Sequence, residues 1–84
     1  MTVVHVLTVI EGKSEEITGL IELTNFKLAE YQLQFDVDPI KDPEMLERYS
    51  VGPDDVEFLE KNIKKALQFD FKRYAYFIEA AEKE

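Results

Sequence analysis

Acidic side chains concentrate in the middle of this 84-residue sequence, and they come nearest to the residue types and spacing of a chemical site. Four of them lie within nine positions of the segment DVDPIKDPE: Asp36, Asp38, Asp42 and Glu44. Carboxylates at such intervals resemble a calcium-binding loop, which needs a glycine at its sharp turn. Here Ile40 stands at the third ligand position and Lys41 replaces that glycine. We therefore expect no metal site and no cofactor.

Other groups that could do chemistry are scarce. His5 is the single histidine and lies within an apolar segment, and the chain has no cysteine. The three glycines are too scattered to form a phosphate-binding loop. Two carboxylates can share acid–base work only where a cleft gives them different environments, which a sequence does not reveal. We expect a protein that is not an enzyme, with a carboxylate-lined pocket as the feature that would favour the opposite interpretation.

Charge is strongly uneven along the chain. The sequence has 18 acidic and 10 basic residues, a net charge of −8. Residues 36–60 hold nine acids and two bases, which sum to −7, whereas residues 61–73 hold five bases and one acid, which sum to +4. Binding to nucleic acid requires Lys and Arg to neutralise phosphates. The acidic balance therefore predicts no nucleic-acid partner.

The acids of residues 36–60 have two interpretations. Carboxylates near 54–57 followed by lysines near 61–65 match the dipole of a helix, so their order has a structural reason. The loop acids lack such a reason, and they form either a solvated surface or an attractive surface for a basic protein. The predicted partner contacts are the following residues, with the tyrosine as an aromatic anchor: Asp36, Asp38, Asp42, Glu44, Tyr49, Asp54, Asp55 and Glu57.

Aromatic rings cluster near the end of the chain. The segment FDFKRYAYF, residues 69–77, contains five of the ten aromatic residues together with Lys72 and Arg73. Such a mixture occurs where bases of single-stranded nucleic acid stack, but those platforms lie in positive grooves. In a chain this acidic and this small, core packing is the favoured interpretation.

The first half of the chain has the pattern of a hairpin followed by a helix. Residues 2–10 and 17–24 are two β-branched segments joined by a polar turn, with Gly19 as a possible bulge. Ile17, Ile21 and Leu23 are expected on one face. A helix is predicted over about 26–35, capped by Thr24 or Asn25.

The second half predicts a strand, a helix and a further strand. A short strand is expected at 47–51, and a helix follows in which Pro53 suits the first position. Its apolar stripe consists of Val56, Leu59, Ile63, Ala66 and Leu67. The C-terminal segment alternates as a strand but also has helix-forming composition, and we choose a strand over 75–81 because two helices need a sheet to pack on. The sequence thus predicts one α+β domain over 1–84, an antiparallel sheet of about four strands with two helices on one face, in the order β-β-α-β-α-β.

The location and assembly of the protein follow from composition. No apolar segment is long enough to span a bilayer, and no secretion signal is visible. The absence of cysteine fits a reducing compartment. We expect a cytoplasmic protein that is a monomer when free.

The stretch DPEMLERYSVGPDDVEFLEKNI, followed by FDFKRYAYFIEA, resembles a family of small acidic bacterial proteins of largely unknown function. Its members resemble immunity proteins of polymorphic toxin and contact-dependent growth inhibition systems. The resemblance implies a non-catalytic inhibitor that neutralises a cognate basic toxin domain, in many such systems a nuclease. The alternative is a small structural or regulatory subunit, or a homodimer, for which an exposed patch around Phe58 is the expected mark.

Overall fold

The computed structural model describes residues 2–23, 26–63 and 68–83. Their elements follow the predicted order, and a short 3-10 turn at Pro53–Asp55 precedes the second helix. The α+β class is confirmed. The elements are β1 (Thr2–Glu11), β2 (Ile17–Glu22), α1 (Leu28–Gln34), β3 (Tyr49–Val51), α2 (Val56–Ile63) and β4 (Tyr74–Lys83).

The four strands form one antiparallel sheet in the order β2-β1-β4-β3. The two long strands are central and pair along their whole length, from Thr2 opposite Lys83 to Glu11 opposite Tyr74. The C-terminal segment is therefore a strand, as we chose on the argument that two helices need a sheet to pack on. Residues 74–83 form a strand because they pair with β1 along its whole length. The central strand β1 thereby has a hydrogen-bonded partner on each side, β2 and β4.

The helices α1 and α2 pack on one face of this sheet. Leu7 and Ile78, which lie opposite each other on the central strands, meet Tyr31 from α1 and Leu59 from α2. Each of these four side chains is at most 1% exposed. The buried cluster consists of Leu7, Leu23, Tyr31, Val37, Met45, Val51, Leu59, Tyr76 and Ile78.

The β1–β2 hairpin differs from prediction at one residue. The register shifts between Val9, which pairs with Gly19, and Ile10, which pairs with Ile17, so the irregularity expected near Gly19 is present. Because side chains alternate between the two faces, one extra residue moves Ile17 to the face opposite Ile21. The expectation that Ile17 shares the core face was wrong, and its side chain is 59% exposed.

The first helix is shorter than predicted, and the second begins after a 3-10 turn. The first helix begins at Leu28 with Lys27 at the N-cap position, and the predicted caps Thr24 and Asn25 lie outside the described residues. The second helix is described as far as Ile63, and Pro53 opens the 3-10 turn before it. Residues 64–67, which carry the end of the predicted apolar stripe, lie outside the described residues. In the ranges that the structure describes, no helix is long and apolar enough to cross a membrane.

The aromatic segment 69–77 divides between the two sides of the sheet. Phe69 and Phe71 pack on Tyr76, with ring centroids 4.8 and 5.2 Å from it, and Tyr76 is 5% exposed on the core face. Phe77 follows on the opposite face beneath Arg48. Core packing explains Phe69 and Tyr76, whereas Phe71 is 36% exposed and stacks on Phe69 outside the buried cluster, so the expectation of core packing was wrong for that ring. The segment does not form a single stacking surface.

Candidate partner-binding surface

The acidic loop between α1 and β3 is fixed to the helix. Gln32 donates a side-chain hydrogen bond to the carbonyl oxygen of Pro43 at 2.9 Å and accepts one at its own backbone carbonyl from the amide of Val37 at 2.9 Å. Val37 and Met45 anchor the loop in the core, at 7% and 0% exposure. The carboxylates between them therefore stand on a backbone that packing holds in place.

Asp42 is the main internal acceptor of this loop. Its Oδ1 accepts a hydrogen bond from the backbone amide of Leu46 at 2.8 Å. Its Oδ2 accepts hydrogen bonds from the backbone amide of Glu47 at 3.1 Å and from the hydroxyl of Tyr49 at 2.5 Å. The hydrogen bond from Tyr49 is the largest cause that lowers the pKa of Asp42. Burial, followed by the same bond, raises the pKa of Tyr49 to about 12. Both residues support the loop from within, and their predicted contact with a partner stays a prediction.

This arrangement predicts the behaviour of the loop in acid. Because the folded-state pKa of Asp42 is lowered, the stabilisation that it gives is present above the ordinary value of about 3.9 and is lost as the pH falls through the lowered pKa. In an NMR titration, Asp42 should protonate below the ordinary range, and the amide signals of Leu46 and Glu47 should shift with it. Tyr49→Phe should move that pKa upward. A pKa of Asp42 at the ordinary value, or one that is the same in the parent and in Tyr49→Phe, would show that these hydrogen bonds do not hold the loop.

Asp55 connects the second acidic segment to the first. Its Oδ2 accepts a hydrogen bond from the backbone amide of Gly52 at 2.9 Å, and this bond closes the 3-10 turn. Its Oδ1 accepts a hydrogen bond from the side-chain amide of Gln34 at 2.8 Å. Gln34 is the last residue of α1, and Asp36 follows two residues later. The bond therefore brings the start of the α2 region next to the start of the acidic loop, two segments that are separate in the sequence.

The remaining five predicted acids are exposed. Asp38 accepts the amide of Ile40 at 2.9 Å with one oxygen, and Glu57 lies 3.6 Å from Lys61. For the other three, no Lys, Arg or His of the described ranges lies within 4.0 Å of the carboxylate. We call these five residues the acidic surface: Asp36, Asp38, Glu44, Asp54 and Glu57.

His5 ties the acidic loop to the sheet. Its Nε2 lies 3.0 Å from the carbonyl oxygen of Glu44 and 3.1 Å from that of Met45, and its ring stacks on Phe26 with centroids 3.9 Å apart. Carbonyl oxygens only accept hydrogen bonds, so Nε2 carries the proton and donates. The sequence analysis did not predict this link, since the partners of His5 lie 39 and 40 positions away and no local pattern indicates them.

The clefts found among the described residues do not bring the residues of the acidic surface together. One cleft of about 720 Å³ is lined by Glu11, Gly12, Lys13, Lys72 and Arg73 at the turn end of the hairpin. Within residues 2–23, 26–63 and 68–83, no three His, Cys, Asp or Glu side chains lie close enough to hold a metal ion together. The chemistry that the acidic surface offers is therefore charge complementarity to a cationic partner.

The division of the aromatic segment gives a prediction about nucleic acid. With −7 in residues 36–60 and the rings of 69–77 on two faces, the free protein should not bind DNA or RNA at physiological salt. Fluorescence anisotropy with single-stranded DNA and RNA oligonucleotides checks this directly. Micromolar binding that weakens steeply with added salt would instead assign the cleft at Lys13, Lys72 and Arg73 to phosphates.

Comparison with known proteins gives one match. A protein-family model, described as a domain of unknown function (DUF7683), matches residues 4–79, which include both helices, β2, β3 and the greater part of β1 and β4. No curated protein and no solved structure matches the chain.

Proposed function

The chain belongs to the DUF7683 family, and we propose that it is a non-catalytic protein-binding inhibitor. Its partner is a basic toxin domain, and the chain acts as the cognate immunity protein in the cytoplasm of a bacterium. The observation that carries the proposal is the acidic surface: five exposed carboxylates stand on a scaffold that Asp42 and Asp55 hold by internal hydrogen bonds. The resemblance of residues 42–80 to immunity proteins supports the same function.

A fixed acidic surface suits rapid, tight inhibition. Complementary charge raises association rates by about 10–10³-fold, because the partner is attracted before contact. Binding also costs less when the contacting groups are already ordered. The loop is ordered through Gln32, Val37 and Met45, so little backbone freedom is lost on binding.

The mechanism that follows is occlusion. A nuclease domain binds its substrate through Lys and Arg that neutralise phosphates. Carboxylates of the acidic surface occupy those cations and form charge-assisted hydrogen bonds with them. Asp42, Tyr49 and Asp55, although also predicted as contacts, act in this proposal mainly as positioning residues, because their polar atoms are bonded within the chain.

The test is protection of growing cells. The proposal predicts that an exported protein with a variable C-terminal domain is encoded immediately upstream of this chain, and that domain is the toxin to use. Cells that produce the domain should stop growing, and the parent chain supplied in trans should restore growth. The purified domain and chain should also form a complex. If the chain gives no protection and no complex forms, the proposal is wrong.

A second candidate function is that of a small structural or regulatory subunit. Its expected mark is an exposed patch around Phe58, but among the described residues that ring is half-buried against Tyr31 and Phe35, with centroids 4.9 and 6.3 Å away. The observation that favours assembly lies elsewhere: Ile17 and Leu20, both on β2, are 59% and 61% exposed.

A further inference from the structure

The two most exposed large apolar side chains of the described residues border the acidic surface. Leu33, on α1, is 86% exposed, and Ile40, in the acidic loop, is 89% exposed. Leu33 lies three positions before Asp36, and Ile40 lies two positions after Asp38. Protein interfaces place apolar side chains at their centre and polar or charged ones around them. The combination indicates that the acidic surface offers a partner apolar contacts as well as charge.

An open cleft of about 280 Å³ lies between α1 and the acidic loop. Four of its six lining residues are apolar and one is charged: Ala29, Gln32, Leu33, Asp36, Val37 and Pro39. Gln32 joins the two walls, because its side chain donates to the carbonyl oxygen of Pro43 and its own carbonyl accepts the amide of Val37, both at 2.9 Å. The cleft is therefore formed before any partner arrives.

The end of α1 gives this cleft a negative potential. Asp36 directly follows the C-cap residue Phe35, with a left-handed φ of 53°. The last carbonyl groups of a helix carry partial negative charge, and the last turn of α1 contains no basic residue that could offset it. The Asp36 carboxylate adds a full negative charge at the same place. A cation is thus the charge that this cleft favours.

An arginine side chain matches both properties of the cleft. Its aliphatic stem can pack along apolar surface while the charged end stays with a polar group. Its planar guanidinium forms paired hydrogen bonds with a carboxylate, and it is less strongly hydrated than an ammonium group. A wholly apolar side chain would cover part of the Asp36 carboxylate without pairing it. An acidic side chain would be repelled.

We propose that this cleft binds one arginine side chain of a basic partner, with its stem between Leu33 and Pro39 and its guanidinium on the Asp36 carboxylate. That the partner is the toxin domain rests on the proposed function, whereas the arginine site does not. Arginine anchors are frequent among the few residues that dominate the affinity of an interface. The contact therefore acts mainly on dissociation of the complex, while the surrounding acids act mainly on association.

The first experiment tests the arginine site without the toxin domain. The probe is N-acetyl-arginine methylamide, and its control is the citrulline analogue, which has nearly the same shape and no charge. In an NMR titration, the arginine probe should shift the methyl signals of Leu33 and the carboxyl-carbon signal of Asp36 at millimolar concentration. The citrulline probe should leave both signals nearly unchanged.

Three variants locate the site. Leu33→Ala and Asp36→Asn should each weaken binding of the arginine probe by about threefold or more, since one removes apolar contact and the other removes the charge. Asparagine also tolerates the left-handed backbone at position 36. Leu20→Ala is the matched control for Leu33→Ala, because Leu20 lies on β2, is 61% exposed and does not line the cleft. It should bind the probe like the parent.

Two results of these titrations overturn the proposal. Equal binding of the two probes would show that the cleft takes an uncharged side chain. Equal affinity of Leu33→Ala and Leu20→Ala would show that arginine meets the acids without using the cleft.

The second experiment measures dissociation of the complex with the toxin domain. Leu33→Ala should raise the off-rate by about tenfold, and Leu20→Ala should leave it unchanged. A complex in which both variants dissociate like the parent also overturns the proposal, although the immunity function then stands. Binding of the arginine probe by a chain that neither protects cells nor binds the toxin domain would have the opposite meaning, so the two failures are observed separately.

Discussion

Replacing Leu59 with alanine is expected to lower the free energy of unfolding by about 2–5 kcal/mol. Leu59 is 0% exposed and lies in the buried cluster where α2 meets the sheet. The change removes apolar contacts and leaves a cavity that the neighbouring side chains fill only in part. A chain of 84 residues has a total stability of about 4–12 kcal/mol. Leu59→Ala therefore removes a large fraction of that stability.

Urea denaturation followed by circular dichroism measures this loss. Leu33→Ala is the control, because the same change at a side chain that is 86% exposed should alter stability by less than about 0.5 kcal/mol. Ile63→Ala should fall between the two, since Ile63 is only partly buried. A thermal melt gives a second measurement. If the Tm of Leu59→Ala lies within about 2 °C of that of the parent, the free energy of unfolding has fallen by less than about 1 kcal/mol, and the packing of α2 is misassigned.

Neutralising part of the acidic surface should slow association with the toxin domain by about tenfold or more at low salt. The variant is Asp36→Asn, Asp38→Asn and Glu44→Gln in one chain. The fold should survive, because exposed charges contribute little to stability, and Asp38→Asn keeps a side-chain oxygen that can accept the Ile40 amide. The remaining association should also depend less on salt, since fewer charges attract the partner.

A matched triple variant shows whether the position of the charge matters. Glu15→Gln, Glu16→Gln and Glu82→Gln also remove three exposed acids, but at the hairpin turn and the end of β4. The net charge is then the same in both variants, and only its location differs. Stopped-flow kinetics at two salt concentrations should show slow association for the first variant alone. Equal slowing in both would mean that net charge rather than the acidic surface attracts the partner.

A local pattern was sufficient to predict the second helix but not the last strand. The spacing of Val56, Leu59 and Ile63 identified α2, because it reports directly which side of the helix is buried. The alternation of Tyr74, Tyr76 and Ile78 left strand and helix open, and β4 was predicted because two helices need a sheet to pack on. The pattern of β2 failed at Ile17. Gly19 indicated a bulge in this strand, but the pairing with β1 sets where the extra residue moves a side chain to the other face, so the exposure of Ile17 was not predicted.

The candidate site was predictable as a region but not residue by residue. Asp36, Asp42 and Asp55 look alike in the sequence, yet the last two accept hydrogen bonds that fix turns, and the first is exposed. The bonds of Asp55 to Gln34 and of His5 to Glu44 join residues 21 and 39 positions apart. Such contacts depend on how the helices and loop dock on the sheet, which no short sequence window contains.

In the proposed function, the partner binds at the acidic surface. The most direct measurement is an NMR titration of the isotope-labelled chain with the unlabelled toxin domain. The amide signals that shift or disappear should map to Asp36, Asp38 and Glu44 and to the start of the α2 region at Asp54 and Glu57. A footprint confined to the cleft lined by Lys13, Lys72 and Arg73, with the acidic surface unchanged, would contradict it.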